Sequence, residues 1–293
     1  MNEPHRAGVV ALLGRPNAGK STLLNRLLGE KLAIVTPKPQ TTRSRLLGIL
    51  TRPDAQILLV DTPGFVAAGR PLERAMRAVA EEAAVDCDVA LLLVDAERGW
   101  EPLHDEWLAR LVALRKPVLL VATRCDRPGA DRRPWPPPGV EGAVGALRTS
   151  ARTGEGLEAL VDRVVELLPE APPYFPEDEI TDRPLRFLAA ETVREAAFEA
   201  LGQELPYRIA VEVTSFDESD PALVRIGATI LVERDSQKKI VIGTGGAQIK
   251  AIGMRARREL ERLLGRQVHL ALWVKVEPGW ARKPKRLKSL GYC

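Results

Sequence analysis

The alternation of hydrophobic and polar positions along this 293-residue chain changes rhythm once. From Gly8 to about Leu168, short apolar runs alternate with longer amphipathic stretches. The runs GVVALL (8–13), ILLVD (57–61), VALLLVD (89–95) and PVLLVAT (117–123) are nearly all apolar and end in polar loops. They predict strands buried on both faces. Between them, STLLNRLLG, PLERAMRAVAEEAAV, LHDEWLARLVAL and GLEALVDRVVELL repeat Leu, Val and Ala at helical intervals. Strands alternating with helices imply an α/β domain whose sheet is mostly parallel, with helices on both faces. RPGADRRPWPPPGVEG (127–142) carries no period and reads as a surface loop, with Trp135 as a packing anchor.

LPEAPPYFPEDEITDRP (168–184) strings prolines and acids together and predicts a stiff connection. Beyond it LRFLAAETVREAAFEAL (185–201) is helical, and YRIAVEVTSF (207–216) and LVRIGATILVER (223–234) alternate like half-buried antiparallel strands. Two helical pieces then flank a glycine cluster, QVHLALWVKV (267–276) alternates again, and a short helix ends the chain. The expected organisation is an α/β domain over 1–170, a linker over 171–184 and a distinct α+β domain over 185–293.

Composition narrows the classes. The three cysteines, Cys87, Cys125 and Cys293, are too few and scattered for a disulfide framework or a zinc site, which fits a reducing cytoplasm. No secretory leader and no apolar run long enough to span a bilayer is visible, so a soluble, cytoplasmic protein is expected. The net charge of +4 hides an asymmetry: residues 181–293 carry +6, residues 1–180 carry −2, and residues 234–293 alone carry +11. Such a basic end suits a polyanionic partner.

GRPNAGKST (14–22) fits G-x-x-x-x-G-K-S/T directly after a strand and at the start of a helix. Gly14, Ala18, Gly19 and Thr22 belong to a loop whose N–H groups curl around phosphates, Lys20 reaches the β- and γ-phosphates, and the Ser21 hydroxyl ligates Mg²⁺. DTPG (61–64) follows a strand, so Asp61 can hold Mg²⁺ and the Gly64 N–H can meet the γ-phosphate. VATRCD (121–126) ends a later strand at the face where such sheets bind ligands. Asp126 can accept from the N1–H and 2-amino group of guanine, donors that adenine lacks. Within TSARTGEG (149–156), Ser150 and Ala151 form a tight turn whose Ala151 N–H can donate to the guanine carbonyl.

GRPNAGKST, QTTR (40–43), DTPG, VATRCD and TSA resemble, in order and spacing, the motifs of translation-factor-like GTPases. The usual base-reading motif there is N-K-x-D, where this chain has Thr123 and Arg124. That resemblance implies GTP and GDP as ligands, Thr42 as a switch threonine completing Mg²⁺ coordination, and Asn17 as a holder of K⁺ beside the phosphates. Catalysis then rests on Asn17, Lys20, Thr42 and Gly64, because Phe65 stands where many small GTPases place a water-orienting glutamine.

IVIGTGGAQIKAIG (240–253) holds a G-x-x-G turn, Gly243, Thr244, Gly245 and Gly246, between two helical pieces. With the surrounding element order it resembles the KH RNA-binding domain in its second topology. Lys250, Arg255 and Arg258 would meet RNA, and Ile209, Val211, Val213, Ile249, Ile252 and Leu260 are expected in the core.

A GTPase domain followed by this KH domain resembles the Era family of ribosome-assembly GTPases over nearly the whole chain, failing mainly at 127–142 and in TRCD. The resemblance implies a monomeric GTPase that binds the 3′ end of 16S rRNA, acts in small-subunit maturation and touches the membrane peripherally. The rival expectation is an RNA-binding assembly factor whose TRCD loop no longer selects guanine. An RNA-dependent ATPase or nucleotide kinase lacks a second substrate site or a helicase-like motif.

Overall fold

A computed structural model of the chain describes residues 5–36, 38, 42–65, 71–202 and 205–292. Two compact units emerge: Met1–Ala33 with Thr42–Gly69 and Glu73–Asp182, and Ile34–Thr41 with Arg70–Leu72 and Arg183–Cys293.

The first unit runs β1 (Arg6–Gly14), α1 (Lys20–Leu28), β2 (Leu46–Thr51), β3 (Ala55–Asp61), α2 (Pro71–Asp86), β4 (Val89–Asp95), α3 (Pro102–Ala113), β5 (Val118–Thr123), β6 (Gly145–Arg148) and α4 (Leu157–Leu167). Its six strands lie in the order β2-β3-β1-β4-β5-β6. Every neighbouring pair is parallel except β2 with β3. All residues of β3, β4 and β5 are buried, as uninterrupted apolar runs require when both faces are covered. Side chains alternate across β1: Ala11 and Leu13 pack with Ala80 and Ala84 of α2 and with Trp107, Leu108 and Leu111 of α3. Burying each of the larger chains contributes about 1.5–3 kcal/mol.

Two strands go beyond the sequence reading. β2 (LLGILT) contains Gly48, where a Cβ would lie 2.6 Å from Leu28 Cδ1 and 2.8 Å from Leu24 Cδ1, so the glycine lets α1 sit against the sheet. β6 has four half-buried residues at the sheet edge, too few to set a period. The acidic, proline-rich stretch also runs differently from a bare connection. Gln56, fully buried on β3, accepts from Tyr174 N and Phe175 N at 2.7 and 2.9 Å and donates to Phe175 O at 2.9 Å. Ile49 N donates to Ile180 O, and Thr181 Oγ1 donates to Leu47 O, so residues up to Asp182 travel with the first unit.

In the second unit follow α5 (Leu185–Ala200), a 3₁₀ turn at Leu205–Arg208, β7 (Ala210–Asp217), β8 (Leu223–Val232), α6 (Asp235–Ile242), α7 (Ala247–Leu264), β9 (Gln267–Val276) and α8 (Pro284–Ser289). The three strands order β7-β8-β9, antiparallel then parallel. Ile209, Val211, Val213, Ile252 and Leu260 join one core with Phe198 of α5. Ile249 does not; it is only half-buried on α7. β8 is not half-exposed as its alternation suggests, because Leu231 on its other face packs with Ala210, Trp280, Leu287 and Tyr292. Residues 34–38 also belong to this unit: Val35 N donates to Glu195 Oε1 at 3.1 Å, and Lys38 Nζ donates to the α5-terminal carbonyls of Phe198 and Leu201.

Among the described residues no helix is long and apolar enough to cross a membrane.

Candidate functional site

The end of β1 turns into the phosphate loop through three residues with positive φ, Gly14 at 156°, Asn17 at 64° and Gly19 at 90°. Gly14 has no alternative, since a Cβ there would stand 2.5 Å from Leu93 O. Lys20 opens α1 and is buried, its Nζ donating to Gly14 O at 3.0 Å and Arg15 O at 2.9 Å. Burial lowers its pKa to about 8, against the opposing pull of the Asp61 charge.

Asp61 ends β3 with no exposure. Its Oδ2 accepts from Ser21 Oγ at 2.6 Å and from Thr42 Oγ1 at 3.2 Å, and the two hydroxyls are 3.0 Å apart. Its Oδ1 is buried without a hydrogen-bond partner among the described residues. Burial raises the Asp61 pKa, with Lys20 and the two hydroxyls working against it. Two hydroxyls and one carboxylate form an all-oxygen set, and the unsatisfied Oδ1 leaves a further acceptor, so the residues fit Mg²⁺. Gln40 and Thr41, flanking Thr42, lie outside the described residues.

DTPG closes against the phosphate loop: Thr62 Oγ1 donates to Leu12 O at 2.7 Å, and a Cβ on Gly64 would meet Pro16 N at 2.4 Å. Phe65 N donates to Gly14 O at 3.0 Å, and its ring stacks on Trp107 with centroids 4.0 Å apart. Phe65 is thus a packing residue beside the phosphate loop.

The base-reading loop begins where β5 ends. Thr123 Oγ1 is buried and donates to Ala18 O at 2.7 Å, joining this loop to the phosphate loop through a hydroxyl where the usual motif has an amide. Arg124 adopts φ 58° and donates to Asp95 Oδ2 at 2.8 Å. Asp126 Oδ1 accepts from Ser150 Oγ at 2.6 Å and Oδ2 from Arg152 Nε at 2.6 Å. The Ser150 bond, ahead of Arg152, holds the Asp126 pKa below the usual carboxylate range. The turn around Ala151 is fixed by Gly154 N donating to Ser150 O at 2.8 Å and by Gly156, where a Cβ would stand 2.1 Å from Arg148 O. Asp95 and Arg152 were not singled out by the motifs. Asp95 had a signal, because it ends the apolar run VALLLVD as Asp61 ends ILLVD.

In the second unit, Gly243, Gly245 and Gly246 take φ of 73°, 57° and 80°, with Thr244 exposed among them. A Cβ on Gly243 would come within 2.6 Å of Gln248 Cβ. Lys250 and Arg258 are exposed on α7 and make no ion pair among the described residues, whereas Arg255 is paired with Glu199. Exposed Ile240, Met254 and Trp273 lie on α6, α7 and β9. Of the basic tail, Arg286 is already engaged by Glu212 and Glu277 at 2.8–3.0 Å, while Arg282, Lys283, Lys285 and Lys288 are exposed.

Comparison with known proteins gives two domain matches, a 50S ribosome-binding GTPase over residues 9–124 and a KH domain over residues 204–281. GTPase Era of Stenotrophomonas maltophilia (strain K279a) is 48% identical over 295 residues, covering 99% of this chain and 98% of its own. GTPase Era of Geobacter metallireducens is 45% identical over 303 residues, covering 99% of both. Among solved structures, Era in complex with MgGDPNP and nucleotides 1506–1542 of 16S ribosomal RNA superimposes with a TM-score of 0.91 at 40% identity, covering 99% of each chain. A variant of Aquifex aeolicus Era bound to GDP·AlF₄⁻ gives 0.90 at 40% identity over 98% of this chain and 99% of its own. This chain belongs to the Era family of GTPases.

Proposed function

We propose that the protein is a GTP-hydrolysing switch that binds the 3′ end of 16S rRNA during small-subunit assembly in the cytoplasm. The observation that carries the reading is the convergence of three groups at the carboxyl ends of β1, β3 and β5: the phosphate loop, the Ser21–Thr42–Asp61 oxygen set and Asp126. In this reading Lys20 leaves its carbonyl partners for the β- and γ-phosphates, and the Gly64 N–H binds the γ-phosphate. Bound Mg²⁺ would neutralise charge on the phosphates, and Ser21, Thr42 and Asp61 would hold it. Asp126 accepts from guanine N1–H and the 2-amino group, while Ser150 and Arg152 keep it ionised and aimed. The Thr123 bond to Ala18 O favours this over a site degenerate for guanine, since the two loops remain joined.

Phe65 cannot orient water, so intrinsic turnover is slow and Asn17, with K⁺, supplies charge beside the phosphates. Thr42 follows directly on residues 34–41, which group with the KH unit through Lys38 and Val35. Ordering of Thr42 by GTP therefore reaches the RNA-binding unit along the chain itself. Gly243 to Gly246, with Lys250 and Arg258, receive the RNA backbone as a KH turn does, and Arg255 contributes after leaving Glu199.

The test is RNA affinity in two nucleotide states. A 3′-terminal 16S oligonucleotide should bind more tightly when the protein holds a nonhydrolysable GTP analogue than when it holds GDP. Equal affinities in the two states would defeat the switch reading.

A further inference from the structure

The first unit holds a cavity that none of the proposed nucleotide residues lines. Its volume is ≈ 280 Å³, and its floor is formed by Ala96 and Ala122 at the ends of β4 and β5. The walls are Trp100, Trp135 and prolines of the 127–142 segment. The rim carries three cations, Arg98, Arg133 and Arg148, and no carboxylate lines the cavity.

The chemistry of these groups is specific. Arg148 is occupied by Ala130 O and Asp131. Arg133 has one long bond, 3.4 Å to Glu97 O, and Arg98 has no partner among the described residues. The indole N–H of Trp100 is satisfied by Asp105 at 2.7 Å. The indole N–H of Trp135 is buried and has no acceptor among the described residues. A flat apolar wall beside arginines free to donate suits stacking and charge-assisted hydrogen bonds together. The volume lies at the lower end for small-molecule sites, so the ligand has one ring or two fused rings.

We propose that this cavity binds a small aromatic anion, its ring against Trp135 and the prolines and its charged group at Arg98 and Arg133. The site is separate from the guanine and phosphate groups, so binding does not require an empty nucleotide site.

The test uses the full chain loaded with GDP and titrated calorimetrically with 2-naphthoate. Saturable one-to-one binding with a Kd of about 1 mM or tighter is expected for a ligand of this size. Neutral 2-naphthamide should bind about tenfold more weakly, and Arg98→Ala should weaken naphthoate by a similar factor. Trp135→Leu keeps an apolar wall but removes the flat aromatic face, and should cost about threefold or more. GDP affinity, unchanged in both variants, serves as the control for folding. No saturation by about 10 mM, equal binding of the amide, or variants that bind like the parent would each overturn the proposal.

Discussion

Replacing Thr123 by Val removes one hydroxyl while keeping the branched shape. That hydroxyl is buried and donates to Ala18 O at 2.7 Å, joining the end of β5 to the phosphate loop. Ala18 is itself only 2% exposed, so water cannot readily take over the abandoned carbonyl. A buried acceptor left unsatisfied costs about 1–3 kcal/mol, which sets the expected loss of stability. The same bond holds the loop that presents Asp126, so nucleotide affinity should fall as well, by about threefold to thirtyfold. Thr123→Ser retains the donor and should stay within about 1 kcal/mol of the parent. Urea unfolding with and without GDP separates the two effects, because bound nucleotide adds stability according to its own dissociation constant. Should the Val variant match the parent in both series, or the Ser variant fail as badly as Val, the hydroxyl would not be the joint between the loops.

Three further outcomes are expected. His104 is buried, and Glu101 N donates to its Nδ1 at 3.0 Å, a role open only to the neutral ring. Burial, with Arg15 nearby, lowers its pKa to about 4. Because the unfolded chain binds the proton more readily, this contribution of about 2–3 kcal/mol is present above about pH 6.5 and is lost as pH falls towards 4; unfolding of parent and His104→Gln across that range should differ in slope. Gln56→Leu removes four hydrogen bonds of one buried amide and strands Tyr174 N, Phe175 N and Phe175 O, so a loss of about 2–4 kcal/mol and early proteolysis near residue 175 are expected. Replacing K⁺ by Na⁺ should lower GTP turnover about tenfold or more in the parent but not in Asn17→Ala; equal turnover in the two salts would remove K⁺ from the account.

The parts of the fold legible in the sequence were those where burial is one-sided or complete over a long run. β1, β3, β4 and β5 announce themselves as unbroken apolar segments, and the helices between them as amphipathic ones. β2 and β6 did not, because Gly48 interrupts one and the other is a four-residue edge strand. β8 misled for a physical reason: its alternation looks half-exposed until Trp280, Leu287 and Tyr292 from far along the chain cover Leu231. The phosphate loop and DTPG were readable because sterics leave little choice at Gly14 and Gly64. What no motif could convey was pairing across loops. Arg124 with Asp95, Arg152 with Asp126, and Arg286 with two glutamates depend on register and packing, which local spacing does not encode.

The central claim, that Asp126 selects guanine, is tested most directly by measuring GTP and ATP affinities of the same preparation. Two charge-assisted hydrogen bonds of about 1.5–3 kcal/mol each, present for one purine and absent for the other, predict a preference for GTP of a hundredfold or more, on the order set by those bonds. Equal affinities for the two nucleotides would contradict it.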